Sequence, residues 1–184
     1  MTGIKTNYDR VTSVLRPFSG IDKVPKEILE AANDRGRRVH ALCQGYIEGI
    51  EVLPPDDLIG YVNSFLKWSS GKNFHHHPGR SYDEDLRITG EIDGIFTQGR
   101  DIYIFDFKTS TKEGSTWKYQ GASYSHIVNG YRGIDQMFVM LDKHGGYPKE
   151  YIYKYKDNID TFLKCLDLYR EFFKTKREME IEFL

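Results

Sequence analysis

The chain has 184 residues, enough for one domain with its own core, and its 39% hydrophobic and 29% charged residues suit a folded globular protein. A net charge of −1 argues against a protein that only coats nucleic acid, but leaves room for a local cationic patch around a carboxylate site. The two cysteines, Cys43 and Cys165, are too few for a disulfide scaffold, a CxxC knuckle or an iron–sulfur cluster, and they suit a reducing compartment. No apolar run approaches the ~20 residues of a membrane span. The N-terminus lacks the apolar core of a signal peptide, so the expected location is cytoplasmic. Aromatics reach 14%, with 13 tyrosines, a residue suited to half-buried grooves.

Residues 1–24, with Pro17, Ser19 and Gly20, read as an irregular lead-in. Pro25 suits a first helical turn, and Ile28, Leu29, Ala32, Val39, Leu42 and Ile47 space a helix over about 25–50, with a break expected at Gly36. Pro54-Pro55-Asp56-Asp57 opens a second helix with a stripe of Leu58, Val62, Phe65 and Leu66, closed by Gly71. His75-His76-His77 reads as a polar loop, since neighbours along a strand point apart and cannot converge on one ion. From Leu86 the period changes to that of strands. One runs through Ile92, Ile95 and Phe96, a second from Asp101 to Lys108, with a turn at Gln98-Gly99. A helix over about 116–131 follows, then a strand at about 134–141, the turn Gly145-Gly146, a strand through Tyr151, Tyr153 and Tyr155, and an amphipathic helix from Asp157. The terminal charge run Lys174–Arg177 reads as a solvated helix end. The whole is one mixed α/β domain over 1–184, a central sheet flanked by helices.

The hairpin carries the chemistry. Alternation puts Tyr103, Phe105 and Phe107 on one face of its second strand and Ile102, Ile104, Asp106 and Lys108 on the other. Asp106 and Lys108 therefore project together, about 7 Å apart along the strand. A turn centred on Gln98-Gly99 sets Asp93 opposite Ile104 and Glu91 opposite Asp106. Three carboxylates so placed repel unless cations sit among them. Lys108 supplies one, and a divalent ion suited to oxygen ligands, Mg²⁺ or Mn²⁺, would supply the rest. The plainer reading is a surface hairpin with a cross-strand salt bridge.

The surroundings favour the first reading. Gly90-Glu91-Ile92-Asp93-Gly94 followed by Asp106-Phe107-Lys108-Thr109-Ser110 resembles the core signature of PD-(D/E)XK nucleases. More narrowly it resembles the branch holding the RecB nuclease domain, phage exonucleases and the mitochondrial genome maintenance exonuclease. Gly36-Arg37-Arg38-Val39-His40 is similar to that branch's upstream G-x-x-[VL]-H motif, and Gln120 and Tyr124 to its downstream Q-x-x-x-Y. Val11-Thr12-Ser13-Val14-Leu15 is similar to the start of its phage members. The matches span about residues 11–124.

The resemblance implies a restriction-endonuclease-like core and a metal-dependent DNA exonuclease acting in recombination, repair or processing. DNA is then the partner, recombination or replication proteins are candidate partners, and no membrane is involved. It implies His40, Asp93, Asp106 and the Phe107 backbone carbonyl as metal ligands, with Asp93, Asp106 and Lys108 catalytic. Gln120 and Tyr124 would lie near the scissile strand, with Arg38 and Thr109 as further substrate contacts. Arg35, Arg37 and Arg38 form a candidate phosphate patch or an ordinary solvated face. Glu91 departs from the family pattern, and two readings stay open for it: a group behind the metal ligands, or a solvated charge at the strand edge. A structure-specific endonuclease on the same fold and a catalytically idle DNA-binding recombination partner are the rival readings.

Overall fold

The computed structural model describes residues 8–75, 79–128 and 133–174. Among these residues two sheets carry the fold. The larger has five strands: β2 (Asn73–His75), β5 (Gly94–Gln98), β6 (Asp101–Lys108), β7 (Gln136–Met140) and β8 (Lys149–Tyr153), side by side in that order. β6 and β7 run parallel, and the other neighbours are antiparallel, so the sheet is mixed. The smaller sheet orders β1 (Asp9–Arg10), β4 (Ile88–Glu91) and β3 (Arg80–Asp83).

Alternation along β6 and β7 builds a core on each face of the large sheet. Phe96, Phe105, Phe107, Met137 and Val139 pack with α2 (Lys26–Ile47) and α3 (Ile59–Ser69) through Val39, Cys43, Phe65 and Trp68. Ile95 and Ile104 face α1 (Val11–Ser19), α4 (Trp117–Ile127) and α5 (Tyr155–Leu168) through Val14, Leu15, Ala122 and Phe162. The result is a sheet between two helical layers, the α/β architecture expected. α4 makes the crossover between the parallel strands β6 and β7. Among the described residues no helix is long and apolar enough to cross a membrane.

Several local expectations give way. The lead-in contains α1, an amphipathic helix whose Val11, Val14 and Leu15 are buried. Pro17 falls near its end, where the missing N–H removes one helical bond at most. Gly36 does not break α2, and an added Cβ there would meet Thr109 Oγ1 only at the ordinary contact distance of 3.8 Å. Leu66 is exposed rather than part of the buried stripe of α3. Tyr155 opens α5 rather than closing β8. The His75-His76-His77 loop lies outside the described residues except for His75, which ends β2, as does the terminal charge run except for Lys174.

The hairpin differs most. β5 and β6 pair Gln98 with Asp101 and Gly94 with Phe105, a shift of two residues from the expected register. The loop is Gly99-Arg100, and Gly99 has φ of 62°. A glycine first in a two-residue loop supplies this positive φ without strain, so the turn closes there and Gln98 stays in the strand. The expected single strand through Ile92 is in fact two, β4 and β5, which belong to different sheets and break at Ile92-Asp93.

Candidate active site

Asp93 occupies that break, where its carboxylate is released from strand alternation and turns toward β6. Its Oδ2 accepts the Phe107 backbone N–H at 2.5 Å, and its Oδ1 accepts a hydrogen bond from His40 Nδ1 at 2.7 Å. Two glycines make the approach fit. A Cβ on Gly94 would lie 2.9 Å from the Phe105 ring, and one on Gly90 would lie 2.7 Å from the Tyr124 ring. The spacing Gly90-Glu91-Ile92-Asp93-Gly94 is thus the imprint of β6 and α4 pressed against this segment.

Asp106 and Lys108 project from the same face of β6, as alternation required. Lys108 Nζ stands 2.6 Å from Asp106 Oδ2, 3.4 Å from Gln120 Oε1 and 4.9 Å from the centre of the Phe138 ring. Gln120 in turn donates from Nε2 to the Tyr124 hydroxyl at 2.9 Å. Gln120 and Tyr124 share a face of α4, but both are buried. Tyr124 backs Gln120, and Gln120 reaches Lys108.

The electrostatics follow from burial. Asp106 is 5% exposed, and burial pushes its carboxyl above the ordinary value even though Lys108 pulls it down. The Asp106 Oδ2 atom is buried and makes an ion contact with Lys108 without an aligned hydrogen bond. For His40, burial pulls the imidazole down, but the Asp93 charge and hydrogen bond outweigh it, and the net direction is up. Burial also raises the Cys43 thiol and the Tyr124 hydroxyl, so both stay protonated.

Glu91 does not oppose Asp106. It ends β4, pairs across the small sheet with Arg80 at 2.8 Å and is largely exposed, so the register argument that set it behind the metal ligands fails. The cause is the strand break, which carries Glu91 and Asp93 into different surroundings. Arg38 is held by Asp57 at 3.1 Å and by Asp34 at 4.0 Å, and Arg37 by Asp34 at 3.0 Å. A phosphate at this patch must compete with two carboxylates. Arg35 has a buried Nε without a hydrogen-bond partner among the described residues. Thr109 is buried directly after Lys108.

Among the described residues, clefts border this site on several sides. One of about 730 Å³ lies between α1, α2 and the start of α4 and includes Arg10, Ser13, Arg16, Trp117 and Gln120. One of about 320 Å³ lies beyond Lys108 and includes Thr109, Ser110, Lys143, Tyr147 and Lys149. The third, of about 240 Å³, opens on Asp93 itself and includes Gln44, Glu48 and His75. Sequence reasoning missed Gln44 and Glu48, although the steps from His40 to 44 to 48 place them on one helical face. It missed Arg80, for which no local signal exists.

The donors Asp93, Asp106 and His40 have the chemistry of a Mg²⁺ or Mn²⁺ site, and the buried Asp106 Oδ2 is an acceptor short of hydrogen-bond partners. As arranged, among the described residues no group of three or more His, Cys, Asp or Glu side chains is set to hold a metal ion. Mg²⁺ is commonly held by one or two carboxylates together with waters and substrate phosphates, so two aspartates fit that mode.

No family model and no curated protein matches the chain. Among solved structures it is similar to an alkaline exonuclease, LHK-Exo, from Laribacter hongkongensis, at 12% identity and a TM-score of 0.41, covering 97% of this chain and 92% of that one. The same enzyme in complex with dAMP gives 10% identity and a TM-score of 0.42, covering 97% and 91%. A protein designated SSO0001 gives 15% identity and a TM-score of 0.43, covering 91% and 77%. Likenesses of this size leave the chemistry to be argued from the chain's own residues.

Proposed function

We propose that the chain is a metal-dependent deoxyribonuclease of the PD-(D/E)XK type that hydrolyses phosphodiester bonds, with exonuclease action favoured by its motif resemblance. The observation that carries the reading is the convergence of Asp93, Asp106, Lys108 and His40, from three separate elements, at one end of β6. A purely structural salt bridge explains Lys108 and Asp106. It does not explain a second carboxylate brought to the neighbouring backbone N–H by a strand break.

Asp93 and Asp106 would hold the ion, with His40 and the Phe107 carbonyl beside them. A bound divalent cation stabilises charge on a phosphodiester oxygen and activates water. Lys108, steadied by Asp106 and Gln120, orients the attacking water or offsets charge developing on the phosphate. Tyr124 fixes the Gln120 amide, and so acts on Lys108 at one remove. Arg38 and Thr109 are assigned to the substrate side. Asp106 is buried while Lys108 keeps partial access to solvent, and the low polarity around the carboxylate strengthens its charge interactions.

The test is incubation with end-labelled single- and double-stranded DNA, with Mg²⁺, with Mn²⁺ and with EDTA, resolved on a sequencing gel. The expected result is cleavage that EDTA abolishes and either metal restores, giving mononucleotides or short products from an end. Full-rate cleavage in EDTA would overturn the metal role. Internal cuts in circular DNA would favour an endonuclease. Binding without cleavage under all conditions would favour the idle DNA-binding partner.

A further inference from the structure

The segment after β7 is anchored far more firmly than a surface loop of its length requires. Asp142 accepts hydrogen bonds from the backbone N–H groups of His144 and Gly146 at 3.0 and 2.9 Å, and its own N–H donates to Ser64 Oγ at 3.0 Å. Lys67 Nζ donates to the Gly145 carbonyl at 2.6 Å. The segment presses so closely on α3 that a Cβ on Gly60 would lie 1.8 Å from the Lys143 carbonyl oxygen.

What this rigid segment presents is cationic and aromatic. Lys143, His144 and Lys149 are exposed, and Tyr147 is 58% exposed. The nearby acids keep their charge but are turned into hydrogen bonds of the fold: Asp142 accepts from the backbone, and Glu150 accepts from Trp68 Nε1 at 2.8 Å, so neither carboxylate pairs with Lys143 or Lys149. Among the described residues Lys143 and Lys149 have no ion pair, whereas Arg16, Arg37, Arg38, Arg80 and Lys154 each have at least one.

Register ties the segment to the active site. Lys108 is level with Met140, and Met140 with Lys149, so the three lie in one row across the sheet. Lys149 is two strands from Lys108, roughly 10 Å. Beyond Lys108, at the end of this row, lies the 320 Å³ cleft, lined by Met140, Lys143, Tyr147 and Lys149, by Thr109, Ser110 and Thr111, and by Asp142.

We infer that the cleft between β6 and the 142–149 segment is a subsite for the single-stranded nucleic acid flanking the reacting phosphodiester, with Lys143 and Lys149 on phosphates and the Tyr147 ring beneath a base. The chemistry is that of strand binding without sequence preference: cations for the backbone, a ring for stacking, hydroxyls for phosphate oxygens. A cleft this small, set beside the end of a strand, admits a nucleotide of one strand and not a duplex. The inference rests on the proposed nuclease reading.

The test is fluorescence anisotropy of the full chain with a short labelled single-stranded oligodeoxynucleotide in EDTA, across a range of salt. The expected result for Lys143→Ala/Lys149→Ala is a loss of affinity of about tenfold and a log–log salt slope shallower by about 1.4, the contribution of two single-strand phosphate contacts. Tyr147→Ala should lose on the order of tenfold with its slope unchanged, and Tyr147→Trp should retain binding because the ring face remains. Lys156→Ala/Lys164→Ala on α5 makes the same change in net charge and should leave the slope as it is. Equal losses in the two lysine pairs would reduce the effect to overall charge and overturn the subsite. So would wild-type affinity and slope in the Lys143, Lys149 and Tyr147 variants of a chain that cleaves DNA, with the nuclease reading left standing. A wild-type chain that neither binds nor cleaves DNA removes both.

Discussion

Asp106 is 5% exposed, and Lys108 Nζ stands 2.6 Å from its Oδ2. Because burial raises its folded-state pKa, the ionised form costs stability at neutral pH, and that cost fades as pH falls through the raised value. Asp106→Asn should therefore lower turnover by at least about 100-fold while holding or raising the thermal midpoint. Lys108→Ala should lose turnover to a similar degree but cost about 3 kcal/mol, because it strands a buried carboxylate. Near wild-type turnover in either folded variant would remove the site assignment. His40 has the opposite linkage. Its net raised pKa means that its pairing with Asp93 adds stability below the unfolded value of ~6.5, a contribution lost as pH rises through the folded value. Urea unfolding should show His40→Ala more damaging at pH ~5.5 than at pH ~8.5. An equal difference at both would show that the pair is not linked to protonation. Glu91→Gln removes an exposed partner of Arg80, so stability should change by under about 1 kcal/mol and the Mg²⁺ concentration for half-maximal cleavage should stay as it is. A shift in that concentration would bring Glu91 back to the metal.

At the scale of elements, α4 matters through its underside. Tyr124 is pressed against Gly90, and Gly121 lets α4 settle on β7, where an added Cβ would lie 2.8 Å from Gln136. The helix is thereby held at a fixed height over Lys108. Tyr124→Phe keeps that packing and removes only the hydroxyl that accepts from Gln120. It should lower kcat several-fold, with the Mg²⁺ dependence unchanged and the thermal midpoint lowered by no more than a ~1 kcal/mol hydrogen bond explains. Tyr124→Ala is a poorer probe, since emptying so buried a ring costs about 3–5 kcal/mol by itself. A changed Mg²⁺ dependence in Tyr124→Phe would mean that the hydroxyl serves the metal and not Lys108.

For the molecule as a whole, the two ends of the described chain close on each other. Asp9 is buried in β1 and receives Arg170 Nε and Lys174 Nζ, both at 2.9 Å, from the π-helical turn Tyr169–Lys174. Arg170 also donates to the Leu86 carbonyl at 2.6 Å, which ties the turn to the start of β4. This clasp holds the small sheet against α1 and α5. Asp9→Asn removes the central charge and leaves two cations facing each other, so it should destabilise by about 3 kcal/mol, read as a lower urea midpoint. An unchanged midpoint would show the clasp to be solvated and of little weight.

Local pattern was enough for much of this protein. Alternation placed Asp106 with Lys108 and Phe105 with Phe107, and the two-residue slip in register preserved which side chains share a face, because strand periodicity is two. Helical spacing located α2, α3 and α5 for the same reason: a buried stripe is written every three or four residues. The motif order by itself groups His40, Asp93, Asp106 and Lys108. Decisions that depend on remote partners were not legible. Whether the segment at Ile92-Asp93 continues as a strand depends on which sheet offers a free edge, and β3, with Arg80, claimed Glu91. The amphipathic α1 was masked by Pro17, since its burial depends on α4 and α5 far along the chain. The row from Lys108 through Met140 to Lys149 spans three strands, and only the folded sheet sets these residues side by side.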